Sequence, residues 1–388
     1  MKKMYFAIVA FLFTAVAFSQ GVTTASVGGQ VTDQTGEPLP GASIVAIHTP
    51  SGTTYGAATD FDGYYRISNM RTGGPYQITI SYIGYEDYKN SNVFLNLGDT
   101  QRISTQLGEA LNALDEIVVV AQANGVFDSG KTGAETNVSQ RQVTNLPTIS
   151  RDISDFARLT PQAKVSGDNI ISVAGQNNRY NAIYIDGAVN NDVFGLAGSG
   201  TNGGQTGVSP ISLDAIESFQ INVAPFDVRQ SGFAGASINA ITKSGTNTTE
   251  GSVYGFYRNQ DMVGKTPVGI AGDNERTKLD EFSAQTYGVR IGGPIVQDKL
   301  FYFVNYERQD NETPQPFDIG TYRGAATAAD LQQLSDFLVN NYGYNPGGYA
   351  NNTSSLVSDK LIAKIDWNIN TFYQRRLFAN TLDIHLTA

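Results

Sequence analysis

In the segment DKLIAKIDWNIN, the apolar file Leu361, Ala363, Ile365, Trp367 and Ile369 alternates with the polar file Lys364, Asp366, Asn368 and Asn370. A period of two gives a strand two distinct faces, whereas on a helix the same residues would be scattered around the circumference. The pattern returns in AQTYGVRIGGPI, where Tyr287, Val289 and Ile291 oppose Thr286, Gly288 and Arg290. KLFYFVNYERQ puts Tyr302, Val304 and Tyr306 on one face, with Phe301 and Phe303 starting the other. Such a chain is committed to sheet. Alternation of this kind fits a membrane barrel with its apolar face to lipid, and it fits a soluble antiparallel sheet equally well.

Membrane-spanning helices are not available to it. Lys2 and Lys3 precede an apolar run from Met4 to Phe18 that ends in small residues, a pattern that reads as a cleaved export signal over 1–19. The run is shorter than the roughly 20 apolar residues that a spanning helix needs, and every later apolar run is broken by Gly, Asn or charge. If the rest of the chain meets a membrane, strands must do it. Loss of the two lysines takes the formal charge from -10 to -12, which disfavours nucleic acid as a partner. With no cysteine and only His48 and His385, thiol nucleophiles, disulfides, Cys-zinc sites and multi-His metal sites are excluded or nearly so. No cofactor or metal site is expected, and no acid/base pair stands out that would make the chain an enzyme.

From Ser26 to Gly108 the text falls into short alternating runs between turn residues, which predicts a small antiparallel sandwich. YQITISYIGY sets Ile78, Ile80 and Tyr82 against Thr79 and Ser81. In ASIVAIH either side qualifies as core: Ile44, Ala46 and His48, or Val45 and Ile47. The sequence VGGQVTDQTGEPLPGASIVAI, with TDFDGYYRISNM and YQITISYIGYE, resembles the carboxypeptidase regulatory-like domain. That resemblance implies a seven-stranded prealbumin-like sandwich over 20–108 and no peptidase chemistry. Asp60 and Asp62 before Gly63 echo the start of a calcium loop, but its twelfth position is Arg71, so a hairpin turn is expected there.

A linker over 109–132 leads to a mixed α/β region over 133–247. In TNLPTISRDISDFARLTPQA, Ile153, Phe156, Ala157 and Leu159 recur at helical spacing, predicting a helix of about ten residues capped by Ser150. Two strands follow in NIISVAGQNNRYNAIYIDGAVNND. A helical turn is expected at Asp214 to Glu217, then strands over Phe219 to Val223 and Ala236 to Thr242. Leu146 and Pro147, Ile185-Asp186-Gly187, Ile216 and Glu217 with Ile221 and Val223, and GASINAITK from Gly235 to Lys243 occur in that order. Together they resemble the plug domain of TonB-dependent outer-membrane receptors, and the stretches FQINVAPFDVRQSGFAG and YGFYRNQDMVGKTP bring the chain nearest the Oar-like branch. VNNDVFGLAGSGTNGGQTG, Val189 to Gly207, is a plausible plug-apex loop whose Gly/Asn content fits flexibility equally well.

The resemblance implies a mainly β protein: the sandwich, a small α/β plug, then the first strands of a transmembrane β-barrel over 248–388. PIVQDK reads as a short turn, and Asp310 to Ser358 as a long polar surface loop. A barrel that encloses a plug has about 22 strands. About 140 residues follow Thr248, enough for a handful of strands of ~10 residues, and the chain's last strand lacks the family's terminal aromatic. The barrel is therefore expected to be incomplete, with a fragment, a frameshifted product and a split gene all open.

By the same resemblance, Leu114, Asp115, Glu116, Ile117, Val118, Val119, Val120 and Ala121 match the TonB box. An extended β-branched segment with unused main-chain donors and acceptors can add to the edge of another protein's sheet. The alternative is that these residues form the sandwich's last strand. The implied function is energised uptake of an unknown substrate, with TonB and its inner-membrane complex as partners and outer-membrane lipid around the barrel. Sandwich, linker and plug would face the periplasm of a Gram-negative bacterium. A periplasmic binding or signalling protein, built from sandwich and plug without transport, is the second reading.

Overall fold

The computed structural model describes residues 22–109, 134–148, 151–192, 194–195, 197–202, 204–223, 233–265, 276, 278–279, 281–314, 322, 324–347, 353–370 and 373–387. They divide into two compact units. The first runs to Gly251 and adds Arg290–Asn305 and Ile362–Asn380; the second holds Ser252–Val289, Tyr306–Leu361 and Thr381–Ala388. Residues 1–19, expected to form an export signal, lie outside the described residues.

The chain opens with β1 (Ala25–Asp33), β2 (Ser43–His48), β3 (Thr53–Ala58), β4 (Tyr64–Met70), β5 (Gly73–Ser81), β6 (Tyr88–Leu95), β7 (Thr100–Arg102) and β8 (Thr105–Leu107). They form two four-stranded sheets, β4-β1-β7 with β8 also on β1, and β3-β2-β5-β6. β7 and β8 both pair parallel to β1, so the expected seven strands are present with the last one cut in two. The cut has a local cause. Ile103 donates its N–H to the Gly28 carbonyl at 2.8 Å, its own carbonyl accepts from the Tyr65 hydroxyl at 2.7 Å, and Ser104 Oγ accepts from Gln30 N at 3.0 Å. A Cβ on Gly29 would stand 2.0 Å from the Ile103 carbonyl oxygen, so only glycine lets the chain bend in at this point.

The ambiguity in ASIVAIH is resolved in favour of Ile44, Ala46 and His48, which are buried with Tyr76, Ile78 and Ile80, while Ile47 is exposed. His48 tolerates burial because its ring packs on Tyr76 at 4.9 Å and its Nδ1 is 2.6 Å from Ser51 Oγ. The Asp60 turn is not a hairpin. It joins β3 to β4, which lie in different sheets, and Asp60 Oδ1 accepts the N–H groups of Asp62 and Tyr64 at 3.0 and 2.8 Å. The carboxylate is occupied in fixing a turn between layers.

A central domain follows: β9 (Ala134–Ser139), α1 (Gln140–Asn145), α2 (Ile153–Ala157), β10 (Ala163–Ser166), β11 (Ile170–Val173), β12 (Ala182–Ile185), β13 (Ala188–Val189), β14 (Ile216–Val223) and β15 (Ala236–Thr242). Its main sheet runs β13-β12-β15-β14-β9, with β12 parallel to β15. Every residue of β15 is buried, so both faces are covered and the strand shows no alternation. α2 is shorter than expected. Asp152, not Ser150, is its N-cap, accepting from Ser154 N at 2.8 Å, and Leu159 lies beyond its end, exposed. Ser150 itself is outside the described residues. α1 was not anticipated, and Glu217 sits in β14, after a single helical turn over Leu213–Ala215, and not in that turn.

Five long strands complete the chain: β16 (Glu250–Asn259), β17 (Ser283–Val296), β18 (Leu300–Pro314), β19 (Thr353–Asn370) and β20 (Tyr373–Thr387), neighbours in sequence order. Their alternation is inverted relative to a soluble sheet. Leu361, Ile365 and Trp367 are exposed, while Lys360, Lys364 and Asp366 are buried, and Val304 is exposed beside buried Phe303, Asn305 and Glu307. An apolar outward file with a polar inward one is the signature of strands built for lipid. β17 and β18 are joined by a turn of three residues, as PIVQDK predicts. The long connection after β18 holds a helix that its composition conceals: α3 (Ala328–Tyr342), with a Thr327–Asp330 capping box and Gly343 in the left-handed region at φ 64°.

Replacing Gly29 by alanine should cost about 1–3 kcal/mol through overpacking against Ile103, lowering the sandwich's melting temperature. Gly56→Ala, whose Cβ would meet nothing closer than 3.6 Å, should leave it unchanged. Thermal melts of the two variants make the comparison.

Candidate functional site

The coupling strand expected at Leu114 to Ala121 lies outside the described residues, which resume at Ala134. Ala134 begins β9, the edge strand of the central sheet, paired antiparallel with β14 from Ala134 opposite Val223 to Ser139 opposite Ser218. The linker therefore feeds directly into an edge.

The opposite end of that sheet holds the chemistry. The Ile185-Asp186-Gly187 motif turns through two left-handed residues, Asp186 at φ 47° and Gly187 at φ 84°. The turn aims the carboxylate at the end of β15: Asp186 Oδ1 accepts from Thr242 N at 3.0 Å and Oδ2 accepts from Thr242 Oγ1. Two motifs distant in sequence, IDG and ITK, thus complete one hydrogen-bonded corner. Lys364 reaches it from β19, its ammonium donating to the Thr242 carbonyl at 3.0 Å and to Thr242 Oγ1 at 3.1 Å, 3.7 Å from Asp186 Oδ1. The Lys364 side chain is 1% exposed.

Two further contacts extend the seam. Lys243 Nζ donates to the Asp214 carbonyl at 2.6 Å, and the Asp214 carboxylate takes Arg290 Nε of β17 at 2.8 Å. Arg71, the cation that spoiled the calcium reading, donates to the Gly245 carbonyl at 3.4 Å and lies 3.5 Å from Asp366 of β19. These groups border a polar cavity of about 200 Å³ whose lining includes Arg71, Lys243, Arg290, Glu217 and Glu250. Among the described residues the Glu217 carboxylate accepts no side-chain hydrogen bond. Desolvation holds its pKa above the ordinary range, against the pull of Lys243, Arg71, Lys364 and Arg290. Burial likewise pushes the Lys243 ammonium down, although Asp214 opposes it. In both groups burial opposes the charged form.

Apart from Glu217, the charges described here bind one another or the backbone and tie distant segments together. In the expected apex loop, Asp192 Oδ2 accepts from Ala197 N and Asn178 Nδ2 donates to the Gly198 carbonyl, both at 2.6 Å. Asp192 inside the loop and Asn178 ahead of it act as local braces. Sequence reading placed Lys364, Asp366 and Arg290 on polar faces but missed their partners. It also missed the buried pair Lys360–Glu307 at 2.8 Å, with Tyr254 donating to the same carboxylate at 2.7 Å. Parity was the available signal, since Glu307 is in phase with Phe301 and Phe303, and Lys360 with Lys364.

A sandwich ahead of strands that carry charge inward and apolar residues outward is the arrangement expected of an outer-membrane protein with an accessory domain. Residues 26–108 match the carboxypeptidase regulatory-like domain family, and residues 241–377 match the outer membrane beta barrel domain family. The chain is homologous to Oar and other TonB-dependent receptors, an assignment that covers most of its length. The TonB-dependent transporter Oar of Myxococcus xanthus is 26% identical over 76% of this chain and 27% of its own. The TonB-dependent receptor SusC of Bacteroides thetaiotaomicron is 30% identical over 45% of this chain and 15% of its own. The chain thus spans about a quarter of Oar, and less of SusC. Among solved structures, the siderophore receptor PirA from Acinetobacter baumannii aligns with 66% of this chain and 32% of its own, at 20% identity and a TM-score of 0.45.

Removing one partner of a buried ion pair costs about 3–5 kcal/mol, so Lys364→Met should strongly lower thermal stability. Lys278→Met, which breaks an exposed 3.0 Å pair with Asp261, should change it by less than about 1 kcal/mol.

Glu217 gives a prediction with a sign. Its folded pKa lies above the unfolded value near 4.5, so ionisation penalises the fold as pH rises past 4.5, and the penalty is absent below it. Glu217→Gln should therefore melt higher than the parent at neutral pH and converge with it below about pH 4. A variant that melts lower at neutral pH would mean that the surrounding cations dominate. Melts at a series of pH values distinguish the two.

Proposed function

We propose that the protein works as a TonB-dependent outer-membrane receptor. In this reading residues 1–19 are an export signal and the central domain is the plug of a barrel begun by β16–β20. Residues Leu114 to Ala121 are the strand by which TonB pulls. The observation that carries the reading is the Lys364 corner. A lysine on the inward face of a strand whose outward face is Leu361, Ile365 and Trp367 is buried against the central domain. That is the relation of a wall to what fills it.

The role follows from charge and geometry. A barrel sealed by a domain held through ion pairs stays shut until work is done on that domain, and an outer membrane has no nucleotide supply to do it. The linker ends at edge strand β9, so a pull on 114–121 loads the plug at its sheet margin. The acidic pair Asp115 and Glu116 orients the captured strand, and Ile117 to Val120 supply the β-branched side chains that fill alternate pockets on a partner sheet. Transport, not catalysis, is the activity inferred. The substrate class is left open.

Val118→Pro and Val119→Pro each remove a main-chain donor from the proposed pairing strand. Both variants should lose crosslinking to TonB in whole cells while the purified chain melts as the parent does. Crosslinking at parental yield would overturn the assignment of 114–121.

A further inference from the structure

Within the first compact unit, the sandwich and the barrel strands meet the plug in unlike ways. Phe303 of β18 and Ile362 of β19 are buried members of the plug's own hydrophobic core, and Lys364 closes the Asp186–Thr242 corner. Among the described residues, the apolar cluster that the sandwich shares with the plug is small: Val22 and Leu97 with Ile241. Among the described residues the sandwich also makes single polar bonds, with Gly73 and Gly98 lying close against the Glu217 and Gln220 side chains. Gln220 Nε2 donates to the Leu97 carbonyl at 2.8 Å, Asn247 N to the Pro50 carbonyl at 2.7 Å and Asn368 Nδ2 to Thr53 Oγ1 at 3.0 Å. Arg71 spans 3.4–3.5 Å to Gly245 and Asp366, longer than a well-formed charge-assisted bond.

The seam is also incompletely satisfied. The cavity of about 200 Å³ opens beside Arg71, the Glu217 carboxylate faces it, and Gln220 Oε1 is buried without a hydrogen-bond partner. A small, polar, imperfectly paired junction resembles interfaces between domains that move, whereas a shared hydrophobic core does not.

We propose that the sandwich is a releasable clamp on the periplasmic end of the plug, gripping β14 through Leu97 and the barrel wall through Arg71, and that it lets go before any plug strand does. The idea rests on the plug reading above. The linker leaves the sandwich after Glu109 and enters the plug at Ala134, so tension applied between them loads both bodies and the weaker attachment yields first. Glu217, in the same cavity, offers Arg71 a second carboxylate as Asp366 is released.

The test uses the full chain in lipid nanodiscs, with Leu114→Cys as the handle for a force probe. The native sequence has no cysteine, so the attachment is unique. Two rupture events are expected, an early one from the sandwich and a later one from the plug. Arg71→Gln should shorten the lifetime of the early event at fixed load about tenfold, the factor equivalent to ~1.4 kcal/mol, and leave the later one unchanged. Lys364→Met should do the reverse. A single event in the parent, or an early event indifferent to Arg71→Gln, overturns the clamp. TonB is absent from the experiment, so its outcome is separate from the crosslinking test of 114–121.

Discussion

An ammonium group with 1% of its side chain exposed stays charged only if its surroundings replace the water it has lost, and Lys364 dictates much of what lies around it. The Thr242 carbonyl must end β15 where the ammonium can reach it. Asp186 must turn back through left-handed backbone, which is why glycine follows it. Thr242 must keep its hydroxyl between the two charges. These requirements fix the ends of β12 and β15 against a residue inside β19, so one buried charge ties the three strands together.

The same economy explains why the barrel strands carry charge on their inward face. Lys360 and Glu307 satisfy each other, as do Arg290 and Asp214, and each pair replaces hydration that an enclosed surface cannot supply. The outward face needs no such compensation and is apolar. A soluble sheet of these strands would expose its ion pairs and bury Trp367, the opposite of what is observed.

Alternation made the strands legible because their two faces meet different solvents, and the sandwich was legible because its strands are short and separated by turn residues. β15 shows no period because both of its faces are buried, and it was recognisable only through the motif ending in Thr242 and Lys243. α3 could have been read from Thr327, Asp330 and Gly343, but the Gly- and Asn-rich sequence around it hid the caps. α2 began late because Asp152, two residues after Ser150, took the N-cap. Asp60 misled as half of a hairpin because its hydrogen bonds are those of any tight turn, and which sheet the next strand joins is decided by packing far away. The partners of Arg71 were illegible in principle, since nothing local to residue 71 points to residue 366.

That distance also bears on the order in which the parts of the corner become available during synthesis. Thr242 and Asp186 are 56 residues apart in sequence, and Lys364 follows Thr242 by another 122, so the corner is finished by the last arrival. Until β19 is in place, Asp186 is a carboxylate with a threonine and no cation. A chain synthesised only as far as β15 has every strand of the central sheet but lacks the cation of this corner and the core residues Phe303 and Ile362. β18 and β19 therefore complete both the charge and the core of the domain that precedes them in the chain.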